Sequence, residues 1–271
     1  MTAKQSQRLA KSDRRAWVTG ASTGIGAAFA RRLARDGFDL ALVARSRDRL
    51  SHLAAELSEA HGVRCDVVPA DLTAASALQQ VAERVADDAA LELMVNNAGF
   101  GTSGAFAELD PDREEEEIRL NVVALTRLTR AALPGMIARG HGAVINVSSM
   151  AAFQPAPHNA TYAATKAFVN SFSEALYEEV RGTGVRVQAL CPGFTRTEFQ
   201  DRAGIDASGI PSFAWMSPDA VVDASLAALQ RGDAVCVPGI GNRLVVATTA
   251  AMPRAVVRRI VGVAVRRMFD K

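Results

Sequence analysis

Residues 16–26 read Ala-Trp-Val-Thr-Gly-Ala-Ser-Thr-Gly-Ile-Gly, and this stretch decides the fold. Its first residues, 16–19, form an apolar run that predicts a buried strand, and the pattern of residues 25–36 predicts a helix. The glycine-rich turn between them would present backbone amides and the positive end of the helix dipole to a pyrophosphate. The stretch therefore predicts a dinucleotide-binding α/β fold.

The glycines of this turn have separate predicted roles. Gly20 permits the tight turn, Gly24 lets the backbone approach a pyrophosphate, and Gly26 allows close packing of the helix. Their spacing is G-x-x-x-G-x-G rather than the more frequent G-x-G-x-x-G. The other residues predicted to bind the cofactor here are Ser22, Thr23 and Ile25.

Short apolar runs alternate with helical patterns along the rest of the chain, which predicts a parallel sheet covered on both faces. Right-handed crossovers then give an α/β fold: a doubly wound parallel sheet (Rossmann-type) with helices on both faces, in a single domain. The predicted strands are Ala16–Thr19, Leu40–Ala44, Val63–Val68, Leu93–Val95, Ala143–Val147 and Val185–Leu190. The first three predicted helices are Ile25–Asp36, Arg47–Ala60 and Leu78–Asp88.

Composition restricts the function classes. The 31 basic and 29 acidic residues give a net charge of +2, which is no reason to expect nucleic acid as a partner. The three cysteines are far apart and accompany no metal-ligand pattern, so we expect reduced thiols, a cytoplasmic protein and no metal site. No stretch reaches the ~18 apolar residues that a membrane-spanning helix requires.

Three segments are expected: a basic, disordered lead-in at 1–13, the catalytic domain at 14–235, and a C-terminal extension at 236–271. Pro253 opens a predicted helix in the extension. Such a basic helix can lie on an anionic membrane surface, but it can equally dock on the core or on a partner subunit. Its arginines are Arg254, Arg258, Arg259, Arg266 and Arg267.

The end of the second strand predicts which cofactor binds. Proteins that bind NAD usually place an acid there for the ribose 2′-hydroxyl, but this chain has Ala44 followed by Arg45. A guanidinium suits a 2′-phosphate, which favours NADP(H). Ser46 and Arg47 could add contacts. Asp48 is the competing ribose acid, although a place in the first turn of the next helix also explains it.

Tyr162 and Lys166 are four residues apart in a predicted helix that reaches about Val180, so their side chains lie on one face. An ammonium near a phenol favours phenolate, and one such pair at ~4 Å and an effective dielectric of ~20 is worth about 4 kcal/mol. Ser149 ends the strand before them, at the edge of the sheet where ligands bind in this fold. Asn121 lies within a long helix.

With the glycine-rich turn, these four residues resemble the short-chain dehydrogenase/reductase family over residues 14–235. The resemblance implies that Tyr162 protonates the substrate oxygen and that Ser149 positions this oxygen. It implies that Lys166 holds the nicotinamide ribose and lowers the pKa of the phenol, while Asn121 anchors a water that relays protons. The alternatives are structural: a kink residue at Asn121 and strand-end caps at Ser148 and Ser149.

The resemblance also implies further cofactor contacts. Asp71 and Leu72 would flank the adenine, although Asp71 could instead cap the next helix. Asn96-Asn97-Ala98-Gly99 would stabilise the sheet and border the cofactor. The remaining implied contacts are Pro192, Gly193, Thr195 and Thr197, the two threonines facing the nicotinamide carboxamide.

Two other stretches invite interpretation. Asp110 and Pro111 predict a helix start, so the acidic run 114–117 is interpreted as a solvated first turn. The irregular stretch 194–216 is interpreted as a mobile lid over an apolar or amphipathic substrate, although its apolar residues could simply pack beneath the loop. These residues are Phe194, Phe199, Ile205, Ile210, Phe213, Trp215 and Met216.

The function predicted from the sequence is an NADPH-dependent oxidoreductase that reduces a carbonyl group (ketone, aldehyde or ketoacyl) to an alcohol, with Tyr162 as general acid. A non-catalytic NADPH-binding sensor or scaffold is one alternative, and an NAD(P)-dependent dehydratase or epimerase is another. The resemblance further implies a homo-oligomer.

Overall fold

The computed structural model describes residues 14–204 and 211–269, and a parallel sheet of seven strands forms its centre. The predicted lead-in at 1–13 and two predicted lid residues, Ile205 and Ile210, lie outside the described residues. The strands are β1 (Arg15–Thr19), β2 (Asp39–Ala44), β3 (Cys65–Pro69), β4 (Leu91–Asn96), β5 (Gly142–Val147), β6 (Val185–Leu190) and β7 (Val235–Cys236).

The strand order is β3-β2-β1-β4-β5-β6-β7, with every neighbouring pair parallel. The order reverses direction between β1 and β4, so a crevice opens at the carboxyl ends of these two strands. This confirms the predicted doubly wound, Rossmann-type sheet in a single domain. The sequence analysis missed β7, whose two residues are too few to show a pattern.

Helices cover both faces of the sheet. They are α1 (Gly24–Arg35), α2 (Arg47–His61), α3 (Ala75–Ala86), α4 (Pro111–Ile118), α5 (Leu125–Arg139), α6 (Ala160–Glu179), α7 (Phe199–Arg202), α8 (Pro218–Arg231), α9 (Ile240–Ala251) and α10 (Arg254–Phe269). One apolar cluster joins α1, α2 and α8 to the sheet, and a second joins α3 and α5 to the opposite face. Alternate residues of β1 serve the two clusters: Val18 faces the first and Trp17 the second.

Helix α4 begins as predicted, since the Asp110 side chain accepts a hydrogen bond from the amide of Asp112 and Pro111 stands in the first turn. The interpretation of residues 114–117 as a solvated turn is wrong for two of the four. Glu115 is exposed and Glu116 is partly exposed, but Glu114 and Glu117 are buried. Residues three apart share one helical face, and here that face packs against α6.

The C-terminal extension has the opposite character. Helix α9 has no buried residue, and Val257 is the buried apolar residue of the part of α10 whose side chains are described. Large apolar side chains are exposed instead, including Ile240 at 71%, Leu244 at 62% and Ile260 at 53%. Within the described residues, no helix combines the length and apolar character needed to cross a membrane.

Candidate active site

The glycine-rich turn joins β1 to α1 in a conformation that requires glycine. Gly20 and Gly24 have positive φ values of 66° and 56°. At Gly26 a Cβ would lie 2.2 Å from the carbonyl oxygen of Gly20, so no larger residue fits. The turn leaves the N-terminus of α1, capped at Thr23 with no side-chain hydrogen bond, facing the crevice. Ser22 and Ile25 lie in the same turn.

The segment after β4 fastens this turn to the sheet. The Thr19 hydroxyl accepts hydrogen bonds from the amides of Asn97 and Ala98, at 3.0 and 2.9 Å. The Asn97 side chain donates to the carbonyls of Thr19 and Gly20. The predicted cofactor residues of the two segments are therefore in contact.

Asn96 belongs to a buried polar network rather than to the crevice. Its amide donates to Thr129 on α5 and to Asn146 on β5, both at 2.9 Å. Asn146 in turn donates to Ser173 on α6 at 3.0 Å. These bonds fix the two helices on the sheet face that carries the site.

The ends of β2 and β3 bring Arg45 and Asp71 near each other. Arg45 is exposed. Burial of the Asp71 carboxyl acts to raise its pKa, but the hydrogen bonds from Thr73 and the charge of Arg45 together lower the pKa below its usual value. Asp71 also accepts from the amide of Thr73 and closes a local turn, but it does not cap the next helix as the structural alternative expected, because the N-cap of α3 is Ala74, with no side-chain hydrogen bond. Leu72 is buried. Asp48 lies in the first turn of α2, not at the strand end.

The segment after β6 closes the other side of the crevice. The Pro192 carbonyl accepts from the amide of Met150, and the Thr195 hydroxyl donates to the Gly193 carbonyl at 3.0 Å. A Cβ on Gly24 would meet the Thr197 side chain at 3.0 Å, so Thr197 lies against the glycine-rich turn. The segment thus begins at the end of β6, and Thr197 brings it to the glycine-rich turn.

Ser149, Tyr162 and Lys166 meet at the carboxyl end of β5. The Lys166 ammonium donates to the Val147 carbonyl at 2.9 Å and lies 5.6 Å from the centre of the Tyr162 ring. Ser149 begins a short 3-10 turn (Met150–Phe153) and accepts from the amide of Ala151, so it is also a strand-end cap. The Ser148 hydroxyl instead donates to the Lys166 carbonyl, which fixes α6 on β5.

Asn121 lies where the long helix is distorted. Residues Arg119–Ala124 form a π-helical segment between α4 and α5, and such segments are frequent at functional sites. The Asn121 amide donates to the Phe100 carbonyl at 2.8 Å and to the Thr165 hydroxyl at 3.1 Å. A Cβ on Gly99 would lie 2.8 Å from the side-chain oxygen of Asn121 and 3.5 Å from the side-chain nitrogen of Lys166. Asn121 therefore lies both in the π-helical segment and at the site.

Burial controls the protonation of the central pair. It raises the pKa of the Tyr162 phenol to about 12, although hydrogen bonding to Ser149 acts in the opposite direction. It lowers the pKa of the Lys166 ammonium to about 8. The net direction for the phenol is opposite to the predicted one, because the cost of removing phenolate from water dominates. The phenol is therefore in the form that a general acid needs.

The apolar side chains after β6 lie beside this centre. The Phe199 ring is 5.4 Å from the Tyr162 ring, and Phe194 is 5.7 Å from Trp215. Phe213 is 88% exposed and Phe194 is 44% exposed. Part of the predicted lid thus packs on the site, and part presents apolar surface to solvent.

Sequence reasoning missed several contributors to the site. Gly101 packs against the Tyr162 ring, where a Cβ would come within 2.9 Å, and Thr102 binds the buried Glu117. Phe199, expected in a lid, packs against Tyr162 with the two rings tilted by 49°. A helical wheel of α4 would have placed Glu114 and Glu117 on one face, but a run of four acids hides that signal.

A tyrosine–lysine pair beside a glycine-rich turn in a Rossmann-type sheet is typical of an oxidoreductase. Residues 14–207 match the short chain dehydrogenase family. This chain therefore belongs to the short-chain dehydrogenase/reductase family.

Individual relatives are consistent with this family assignment. The very-long-chain 3-oxoacyl-CoA reductase of Anas platyrhynchos is 33% identical over 231 residues, which cover 82% of this chain and 72% of the relative. The bovine reductase of the same name is covered over 59% of its length. Among solved structures, a short-chain dehydrogenase from Sphingobium yanoikuyae in complex with NADPH is 42% identical, with a TM-score of 0.80, covering 84% of this chain and 88% of that one. A bulky-bulky ketone specific alcohol dehydrogenase from Comamonas testosteroni is 34% identical, with a TM-score of 0.76, covering 89% and 96%.

Proposed function

We propose that this protein is an NADPH-dependent carbonyl reductase. The observation that carries the proposal is the meeting of Ser149, Tyr162 and Lys166 beside the glycine-rich turn, at the edge of the sheet where nucleotides bind in this fold. The turn fits a dinucleotide, because Gly20 and Gly24 hold conformations that expose backbone amides toward the crevice. When bound, NADPH would supply the hydride.

The chain's own residues perform the rest of the reaction. Ser149 holds the carbonyl oxygen of the substrate, and Tyr162 gives its phenol proton to this oxygen as the alcohol forms. Lys166 lies within 5.6 Å of the phenol ring, so its positive charge stabilises the phenolate that remains. Asn121 fixes the segment at Phe100 and anchors the water that returns a proton toward Lys166.

Arg45 supports the preference for NADPH over NADH. It is exposed at the end of β2, within the electrostatic reach of Asp71, where the adenosine half of the cofactor would lie. A guanidinium there favours a 2′-phosphate. The NADPH complex of the Sphingobium relative agrees with this preference.

The aromatic side chains after β6 support an apolar or amphipathic substrate. The Phe199 ring packs against the Tyr162 ring, Phe194 packs against Trp215, and Phe213, in the same stretch after β6, is 88% exposed. We propose a bulky ketone or a 3-oxoacyl group as the carbonyl substrate, in line with the names of the Anas platyrhynchos reductase and the Comamonas testosteroni alcohol dehydrogenase. A sensor or scaffold would not need the intact tyrosine and lysine.

The extension supports a second, separate function: binding to an anionic membrane surface. Residues 240–269 hold six arginines and no acidic residue. Three exposed apolar side chains, Ile240, Leu244 and Ile260, accompany them. An exposed surface that is both cationic and apolar fits acidic lipid headgroups above acyl chains. Association of two such surfaces would bring like charges together, which disfavours a second copy as the occupant.

The reductase proposal is tested by NADPH and NADH oxidation over a panel of bulky ketones, aldehydes and 3-oxoacyl thioesters. We expect turnover with NADPH on at least one ketone or thioester, and weaker turnover with NADH. Tight NADPH binding without turnover on any member would favour the sensor or scaffold. Equal turnover with both cofactors would remove the assigned role of Arg45.

A further inference from the structure

Two glutamates are buried under the active site. Glu117 is 0% exposed and Glu114 is 8% exposed, and both lie on the face of α4 that packs against α6. Each carboxylate has one oxygen that is buried and without a hydrogen-bond partner. A buried acidic oxygen left without a partner is costly, so its position requires an explanation. Neither residue belongs to the predicted catalytic group.

The other oxygens of these carboxylates hold elements of the site. Glu117 accepts from both the amide and the hydroxyl of Thr102, at 2.9 and 2.8 Å. Thr102 follows Gly101, whose backbone backs the Tyr162 ring. Glu114 accepts from the hydroxyl of Thr161, the residue before Tyr162. The two acids therefore hold the segments on both sides of Tyr162: Glu117 binds the loop that packs against its ring, and Glu114 binds the residue before it in α6.

The charges around Glu117 come from three elements. Glu114 faces it from its own helix, Lys166 and Tyr162 face it from α6, and Cys191, after β6, interacts electrostatically with Lys166. Burial raises the pKa of Glu117 to about 7, with Glu114 acting in the same direction and Lys166 and Thr102 opposing. Its charge in turn raises the pKa of both Tyr162 and Lys166.

We propose that Glu117 is a positioning residue of the active site: it clamps Thr102 so that the loop 99–102 supports Tyr162, and its buried carboxylate holds protons on Tyr162 and Lys166. The proton stays on the phenol until the substrate oxygen takes it. A charge of this sign favours the acid form of the tyrosine, which reduction requires, and disfavours the phenolate, which alcohol oxidation requires. Glu117 thereby biases the site toward reduction.

This inference rests on the proposed reductase function for its kinetic test. Glu117→Gln keeps an oxygen that accepts both Thr102 bonds but removes the charge. The pH profile of kcat/KM for ketone reduction falls where Tyr162 and Lys166 lose their protons. We expect this falling limb to move to lower pH by about 1 unit in the variant, the size that a neighbouring buried charge produces.

The matched control is Glu115→Gln, which removes the same charge two residues earlier on the exposed face, where Glu115 pairs with Arg119. It should leave the limb in place. Glu117→Leu removes the clamp as well as the charge, and should lower the plateau value of kcat below that of Glu117→Gln. If the falling limb of the pH profile does not move in Glu117→Gln, the electrostatic role of Glu117 is wrong. If the plateau values of kcat are equal in Glu117→Gln and Glu117→Leu, the clamp on Thr102 is wrong.

A second readout needs no turnover. The infrared band of a protonated carboxyl should titrate near neutral pH in the wild type and be absent in Glu117→Gln, because ordinary carboxyls have lost their protons by about pH 6. Coupling between two sites is reciprocal, so Lys166→Met should move this titration to higher pH. An unmoved titration would overturn the coupling even if no carbonyl is ever reduced, whereas an inactive wild type would overturn only the reductase.

Discussion

The active site and the C-terminal extension depart from the usual arrangement of a globular protein in opposite ways. Around Tyr162 the chain buries charge: Glu117 is 0% exposed and Lys166 is 5% exposed. In the extension it exposes apolar surface: Ile240 is 71% exposed and Leu244 is 62% exposed. Each departure costs free energy that an ordinary core and surface would not.

The difference teaches where to look for function. Buried charges are mutually coupled, so they shift one another's pKa values and create acid–base chemistry. Exposed apolar residues do not shift one another's properties in this way, so a function for them requires contact with another surface. Chemistry is therefore expected in the first region and association in the second, and each prediction below tests one side of this division.

The largest expected effect is at Tyr162. Tyr162→Phe removes the proton that the substrate oxygen must receive, so we expect kcat to fall roughly 10²- to 10⁴-fold. NADPH affinity, measured by fluorescence titration, should stay near that of the wild type, because the glycine-rich turn is untouched. Normal turnover in this variant would end the assignment of Tyr162 as general acid.

The next effect is at Arg45. Arg45→Asp replaces a guanidinium by a carboxylate that repels the 2′-phosphate. We expect the ratio of kcat/KM for NADPH to that for NADH to fall by about 100-fold. Arg35→Asp, the same charge change at the far end of α1, is the control and should leave the ratio unchanged. An unchanged ratio in the Arg45 variant would show that another group selects the cofactor.

Glu117 should also affect stability, through its pKa of about 7. Because the folded state holds this proton more tightly than the unfolded state, the wild type loses stability as pH rises between the two pKa values. Relative to Glu117→Gln, we expect the free energy of unfolding of the wild type to drop by about 2 kcal/mol between roughly pH 5.5 and 8.5. Urea unfolding at both pH values measures this.

Glu115→Gln should show no such pH-dependent difference, since its side chain is 64% exposed. If the free energies of unfolding of the wild type and Glu117→Gln differ by the same amount at both pH values, the pKa of Glu117 is not raised. Glu117 would then not be a buried charge with a shifted pKa, and the contrast between the active site and the C-terminal extension would lose its main example.

The smallest effect concerns the extension. Sedimentation with phosphatidylglycerol vesicles should capture the protein, and phosphatidylcholine vesicles should not. The charge reversals Arg254→Glu and Arg258→Glu together should weaken capture at least ~10-fold, at about 1 kcal/mol per basic residue. Arg35→Asp serves as the control and should sediment with phosphatidylglycerol vesicles as the wild type does. Self-association without vesicle binding would identify the surface as a subunit interface instead.

The sequence predicted the part of the molecule that depends on local pattern. The glycine-rich turn, six of the strands, the cap at Asp110 and the helix with Tyr162 and Lys166 follow from short-range periodicity. The partners of the acids do not, because burial of Glu117 depends on how α4 meets α6. The direction of the Tyr162 pKa shift was mispredicted for the same reason: spacing shows a nearby ammonium but not the loss of water.

The most direct test of the central claim follows the hydride itself. The protein is incubated with a bulky ketone and NADPH that carries deuterium at the transferable position, and the alcohol is analysed by mass spectrometry. We predict deuterium on the carbinol carbon with the wild type, and incorporation that is roughly 10²- to 10⁴-fold slower with Tyr162→Phe. NADPH that binds the wild type while no ketone or 3-oxoacyl substrate acquires deuterium would contradict the assignment of this buried polar cluster as a reductase active site.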